Sequence, residues 1–158
     1  LQILAEQRCT VAEVMSQHWS RYGRHYYSRH DYEAIDATAA EGLYSRIEGL
    51  LPGLRNKHFA GSLVQQADNF CYEDPIDGSV TNNQGLRILL EDQSRVIVRL
   101  SGTGTKGATL RIYLETYKNS KNQLSLDSQV ALKSLISEIN LLGEVHERTG
   151  MNNPTVIT

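Results

Sequence analysis

The stretch "RLSGTGTKGATLRIYLE", residues 99–115, decides the fold, because its glycines at Gly102, Gly104 and Gly107 suit several unrelated phosphate loops. The element after the glycines tells them apart. A dinucleotide fingerprint needs a helix there, whose N-terminal amides meet a pyrophosphate. Instead "ATLRIYLETY" (108–117) alternates Leu110, Ile112 and Leu114 with Thr109, Arg111, Tyr113 and Glu115, the period of a strand. A Walker A loop needs Lys and then Ser or Thr after its last glycine, but Gly107 is followed by Ala108 and Thr109. A kinase lid fails as well, since the chain has no V-A-I-K, H-R-D or D-F-G motif. What remains is a strand-loop-strand hairpin.

Working outward, the same alternating period predicts strands at 63–73, 85–91 and 95–100, with "DQS" (92–94) short enough for a hairpin turn. Helical spacing appears before and after them. Thr10 and Glu13 form a capping box ahead of Val11, Val14, Met15, His18 and Trp19, and Gly23 supplies the stop. "RHYYSRHDYE" (24–33) reads as extended chain, and Asp36–Leu51 as a second helix ended by Pro52 and Gly53. Asp127 caps a long amphipathic segment with its stripe on Val130, Leu132, Leu135, Ile136, Ile139 and Leu142. Consecutive strands with short turns, flanked by helices, indicate an α+β fold: an antiparallel sheet with helices packed on one face.

The 158 residues suffice for one packed domain. A formal charge of −2 gives no sequence-independent attraction to nucleic acid or anionic lipid, so neither is expected as a partner. The apolar runs fall short of a membrane span, and no signal-peptide pattern is present. Cys9 and Cys71 fit neither a disulfide framework nor a zinc spacing, which favours a reducing compartment, the cytoplasm by default. The chain opens at Leu1 inside the helix-like "LQILAEQ" and reads as a fragment of something longer.

Three glycines let backbone N–H groups converge on an anion without Cβ obstruction. Ser101, Thr103 and Thr105 add hydroxyl donors, Lys106 a mobile charge, and the flanking Arg99 and Arg111 offer paired N–H bonds to phosphate oxygens. A second motif, "DPIDGS" (74–79), matches the metal-binding turn of inositol monophosphatases, in which two carboxylates such as Asp74 and Asp77 hold Mg²⁺ against a phosphate ester. The upstream Glu pair and downstream Asp of that site are missing, so a plain turn shaped by Pro75 and Gly78 is the preferred reading. The arginines and histidines of "HWSRYGRHYYSRHDYE" (18–33) fit an interface or polar rim better than RNA stacking, given the absence of basic excess. His58 and His146 stand alone, and no nucleophile-base arrangement is suggested by spacing.

Taken together, "HWSRYGRHYYSRHDYE", "DNFCYEDPIDGSVTNNQGLRI", "RVIVRLSGTGTKGATLRIYLE" and the terminal "ERTGMNNPTVIT" resemble the C-terminal part of the phosphoglucomutase family, the glucose-specific branch of the α-D-phosphohexomutases. The resemblance runs from residue 10 to 158. It implies a TATA-binding-protein-like C-terminal domain over 10–158, with 1–9 ending the last helix of a preceding domain. It also implies that Arg99, Ser101, Gly102, Thr103, Gly104, Thr105 and Arg111 grip the substrate phosphate that is not being transferred, while Lys106 stands where members vary. The chemistry implied is exchange between glucose 1-phosphate and glucose 6-phosphate through a phosphoserine and glucose 1,6-bisphosphate. The serine, an Mg²⁺ loop and a sugar-reading loop belong to other domains of the same enzyme, so this chain alone is expected to be inactive. Two alternatives are a non-catalytic binding module of the same family and a Mg²⁺-dependent phosphatase using Asp74 and Asp77.

Overall fold

Val96 and Val98 face Leu114 and Ile112 across an antiparallel ladder, and burying these residues forces the intervening Arg95, Ile97, Arg99, Arg111, Tyr113 and Glu115 onto the opposite face. The computed structural model describes residues 1–104 and 107–158. Its helices before the sheet are α1 (Gln2–Gln7), α2 (Val11–Tyr22) and, after strand β1 (Arg24–Ile35), α3 (Ala37–Leu50). Strands β2 (His58–Phe59), β3 (Ser62–Glu73), β4 (Val80–Leu90), β5 (Arg95–Gly104) and β6 (Gly107–Lys118) follow. The chain then forms α4 (Ser128–Ala131), α5 (Lys133–Gly143), α6 (Val145–Thr149) and the short β7 (Val156–Ile157).

The described strands form one sheet in the order β2-β3-β4-β5-β6-β1-β7, every neighbouring pair antiparallel. The first strand in sequence is thus inserted between β6 and the terminal β7. Helices cover the Val96–Ile112 face: α3 buries Ala40, Leu43 and Ile47, and α5 buries Leu135 and Ile139. Each fully buried Leu or Ile contributes about 1.5–3 kcal/mol by leaving water. The other face of the sheet carries no helix of comparable packing and presents its arginines and tyrosines outward.

The α+β reading holds, with one correction. The segment after Asp127, read as a single amphipathic helix, is broken into α4, α5 and α6. Leu132 leaves helical geometry at ψ 0, and Glu144 is left-handed at φ 50. No glycine or proline marks the first break, and the apolar stripe continues across it, so periodicity cannot reveal it; the second follows directly on Gly143. At Glu144 the carboxylate meets Arg46 Nη2 of α3 and, one turn further on, Arg148 Nη2, each at 2.8 Å. The two-residue strands β2 and β7 also escape a pattern reading, being too short to show a period.

The expected capping box forms: Glu13 N donates to Thr10 Oγ1 while Thr10 N donates to Glu13. Asp36 caps α3 by accepting from Ala39 N. Helix α2 buries no residue, yet its C-terminal end is fixed to the sheet. Tyr117 donates its hydroxyl to Tyr22 O at 2.8 Å, and the Arg24 guanidinium lies 4.0 Å from the Trp19 ring and 4.1 Å from the Tyr26 ring. Gly23, at φ +78, leaves no room for a Cβ against the Tyr117 ring. Gly23→Ala is expected to destabilise the chain by at least about 2 kcal/mol, read as a lowered urea midpoint at constant m.

Under the sheet, His30 Nε2 lies 2.8 Å from Gln129 Oε1, and Gln129 Nε2 donates to Ser28 Oγ. Burial pushes the His30 imidazole below its ordinary pKa, outweighing the Gln129 hydrogen bond and the nearby Asp31 charge, both of which favour the cation. The folded state therefore prefers neutral His30. This contribution to stability is complete above the unfolded histidine value of about 6.5 and is lost as pH falls from there toward the lower folded value. His30→Gln should flatten the dependence of the urea midpoint on pH across that window, and an unchanged slope would exclude His30 as its source.

Candidate functional site

The ladder between β5 and β6 pairs Arg99 directly with Arg111, and the ladder between β1 and β6 pairs Arg111 with Asp31. On the face without packed helices this row reads Asp31, Arg111, Arg99, then Gly85 and Phe70, which are themselves paired. Like charges directly opposite on neighbouring strands are destabilising, so two facing guanidiniums make a site that gains by receiving an anion. Arg99 is exposed, and the Arg111 side chain is 41% exposed. Both are reachable from solvent.

The two guanidiniums are held differently: Arg99 by a hydrogen bond from its Nε, Arg111 only by a 3.7 Å ion-pair contact of its Nε with Asp31 Oδ2, that buried Nε having no hydrogen-bond partner among the described residues. Arg99 Nε donates to Gln84 O at 2.7 Å, which leaves its two Nη groups for a ligand. Its stem crosses the backbone of Gly85, where an added Cβ would lie 3.1 Å from both Arg99 Cγ and Val98 O, at φ +151. Gly85 is therefore the seat of Arg99. Beyond it, Arg87 is held bidentate by Asp68, at 2.9 and 2.8 Å, and stands 5.0 Å from the Phe70 ring, with Arg99 5.9 Å away on the same ring. That carboxylate is held below its usual pKa by its hydrogen bonds from Arg87. Arg87 is consumed by this pair, whereas Arg99 meets a carbonyl and keeps its charge uncompensated.

The glycine segment is more strand-like than its composition suggests. β5 extends to Gly104 and β6 starts at Gly107, with those two glycines paired. Glycine does not interrupt an antiparallel ladder near a hairpin end, so only a register shift between Ser101 and Gly104, with Gly102 at φ +69, marks the departure. Gly107, at φ +89, lies so close to β1 that a Cβ would come within 2.8 Å of Ile35 O. The hairpin end thus rests on the bulge of β1, where Ala34 is left-handed at φ 56. Ser101 is half-buried and pairs with Thr109. Thr105 and Lys106, and the side chain of Thr103, lie outside the described residues.

Beside this row a groove of about 710 Å³ runs across the sheet, lined by Tyr27, Arg29, Arg95, Ile97, Arg99 and Tyr113. Arg95 is paired with Glu115, which also meets His25 Nδ1 at 2.9 Å. The two facing arginines are neither nucleophiles nor general acids; what such a pair can do chemically is hold an anion in place.

Asp31 was not singled out by the sequence reading. Its signal was the two-residue spacing from Arg29 in an extended segment, which puts both on one face, but nothing local shows that β1 lies against β6. "DPIDGS" forms the expected turn: Asp74 accepts from Ile76 N and Asp77 from Ser79 N, each at 2.8 Å. The Ser79 hydrogen bonds hold the Asp77 carboxyl below its ordinary value. Both carboxylates serve their own backbone, and among the described residues no cluster of three acidic, histidine or cysteine side chains has metal-binding geometry.

With this geometry in place, the comparisons define the class: a family model described as "Phosphoglucomutase-1, C-terminal domain" matches residues 24–155. The chain belongs to that family. It is 47% identical over 157 residues to the protein named "Probable phosphoglucomutase, cytoplasmic 2" of Arabidopsis thaliana, covering 94% of this chain and 27% of that protein. It is 41% identical over 164 residues to "Phosphoglucomutase-1" of Homo sapiens, covering 100% of this chain and 29% of that protein. Among solved structures it matches the open form of the phosphoglucomutase pp63/parafusin from Paramecium with a TM-score of 0.84 and 38% identity, covering 94% of this chain and 25% of that one. The chain spans less than a third of the length of these relatives. Among the described residues, no helix is long and apolar enough to cross a membrane.

The site's dependence on Gly85 is directly testable. Gly85→Val should cost about 1–3 kcal/mol of stability by overpacking and should weaken inorganic phosphate binding at least about threefold by displacing Arg99. Titration calorimetry at a temperature where the variant is folded separates the two effects.

Proposed function

We propose that this chain is the substrate-phosphate clamp of a cytoplasmic phosphoglucomutase that interconverts glucose 1-phosphate and glucose 6-phosphate. The observation that carries the reading is the facing pair Arg99 and Arg111 at the mouth of the glycine hairpin. Residues 10–158 form the phosphate-binding domain, and 1–9 the end of a helix from the domain before it. Arg99, Ser101, Gly102, Thr103, Gly104, Thr105 and Arg111 hold the phosphate that does not react. A phosphoserine from another domain donates its phosphate to the sugar, and glucose 1,6-bisphosphate turns over before one phosphate returns to the serine. Mg²⁺, when bound, polarises the transferring phosphoryl group. In this reading its ligands belong to another domain of the enzyme; among the described residues no three acidic, histidine or cysteine side chains gather in metal-binding geometry.

The bisphosphate presents either end in turn, so one anion site must accept a phosphate with the sugar in two orientations. Guanidinium forks and backbone N–H groups suit this, since they read charge and tetrahedral shape and leave the sugar unread. The clamp contributes position and exclusion of water rather than bond chemistry.

In the complete enzyme, Arg99→Ala and Arg111→Ala should each lower kcat/KM by at least about tenfold, as expected when a charged hydrogen bond of roughly 1.5–3 kcal/mol is lost. Steady-state kinetics in both directions check this; wild-type kcat/KM in either variant removes that arginine from the clamp.

A further inference from the structure

Asp31 is 4% exposed, yet it lies on the sheet face that bears the exposed arginines. Its Oδ1 accepts from Arg29 Nε at 2.8 Å, and its Oδ2 lies 3.7 Å from Arg111 Nε. The Arg29 side chain is 38% exposed and that of Arg111 41%, so both guanidiniums reach outward from one buried carboxylate. The Asp31 backbone is fixed from both sides, paired with Arg111 on β6 and with Val156 on β7. Its carbonyl accepts from Thr155 N at 2.8 Å and from Thr155 Oγ1 at 2.9 Å. The neighbouring His30 points to the opposite face, toward Gln129.

We propose that Asp31 is a positioning residue of the phosphate clamp, a buried carboxylate that holds Arg111 by charge from its Nε side, without a hydrogen bond, and shares that charge with Arg29. The inference rests on the clamp reading above. Arg111 faces Arg99, and a flexible guanidinium beside another cation would swing away from it. The carboxylate opposes that swing from the far side of Arg111. Because the carboxylate approaches from the Nε side at 3.7 Å, the two Nη groups are left for a phosphate. Because Oδ1 is taken by Arg29 and the Oδ2 contact is long, the charge on Arg111 is only partly compensated and continues to attract an anion. A direct bidentate pair, of the kind Asp68 makes with Arg87, would instead close the guanidinium to ligand.

The test is a double-variant cycle in the complete enzyme with Asp31→Asn and Arg111→Lys, read as kcat/KM for glucose 1-phosphate. Asp31→Asn is expected to lose at least about tenfold, and the double variant to fall no more than about threefold below the poorer single variant, since the two residues act through one another. Asp31→Glu, which retains the charge, should recover part of the loss. Additive losses overturn the proposal, as does wild-type kcat/KM in Asp31→Asn beside an impaired Arg111→Lys. Wild-type kinetics in Arg111→Lys would strike at the clamp reading, and the proposal would fall with it. Should Asp31→Asn not fold, the half-exposed Arg29→Gln replaces it in the same cycle. Arg29 is linked to Arg111 through the shared carboxylate, so non-additivity supports the proposal and additivity overturns it.

Discussion

Everything at the site depends on the registered pairing of Arg95–Ser101 with Thr109–Glu115. Once Val96, Val98, Ile112 and Leu114 are committed to the core, the two-residue period of the strands leaves Arg99 and Arg111 no alternative to the other face, opposite each other. The hydrophobic effect thereby brings together two charges that electrostatics would separate. Stability of the sheet and affinity for an anion come from the two sides of one ladder.

The surroundings manage that repulsion differently on each side of the row. On the β4 side Arg99 is given a carbonyl and a glycine to lie across, which orient it without neutralising it. On the β1 side a buried carboxylate lies near Arg111 and is already engaged by Arg29. Arg87 and Arg95, on the same face, are instead closed by full ion pairs with Asp68 and Glu115. Among the described arginines of this face, Arg99 and Arg111, next to the glycine hairpin, are the two without a hydrogen-bonded carboxylate.

The sequence was most legible where local period carries the information. The strand after Gly107, the capping roles of Thr10 and Asp127, and the turn at "DPIDGS" all follow from contacts a few residues apart. The arginines of the site were visible because they sit on the hairpin that their own strands define. Asp31, Gly85 and Gln84 were not, because their meaning comes from strands that meet only through tertiary pairing. The break at Leu132 was hidden for the opposite reason: the apolar stripe persists across it while the backbone does not. Residues 101–104 looked like open loop because glycine is usually punctuation, but here the strand continues to Gly104.

The position of β1 between β6 and β7 ties the site to the slowest part of the topology. The β5–β6 hairpin is local and can form early, while β1 must find β6 across the chain, Arg24 aligning with Lys118. A nascent hairpin would carry two arginines without Asp31 behind them and without Ile35 beneath Gly107. The geometry described above is completed only by this long-range pairing, so the arrangement of the two arginines is a late property of folding, and a ligand bound by the proposed clamp would favour the finished sheet over its partly assembled precursors.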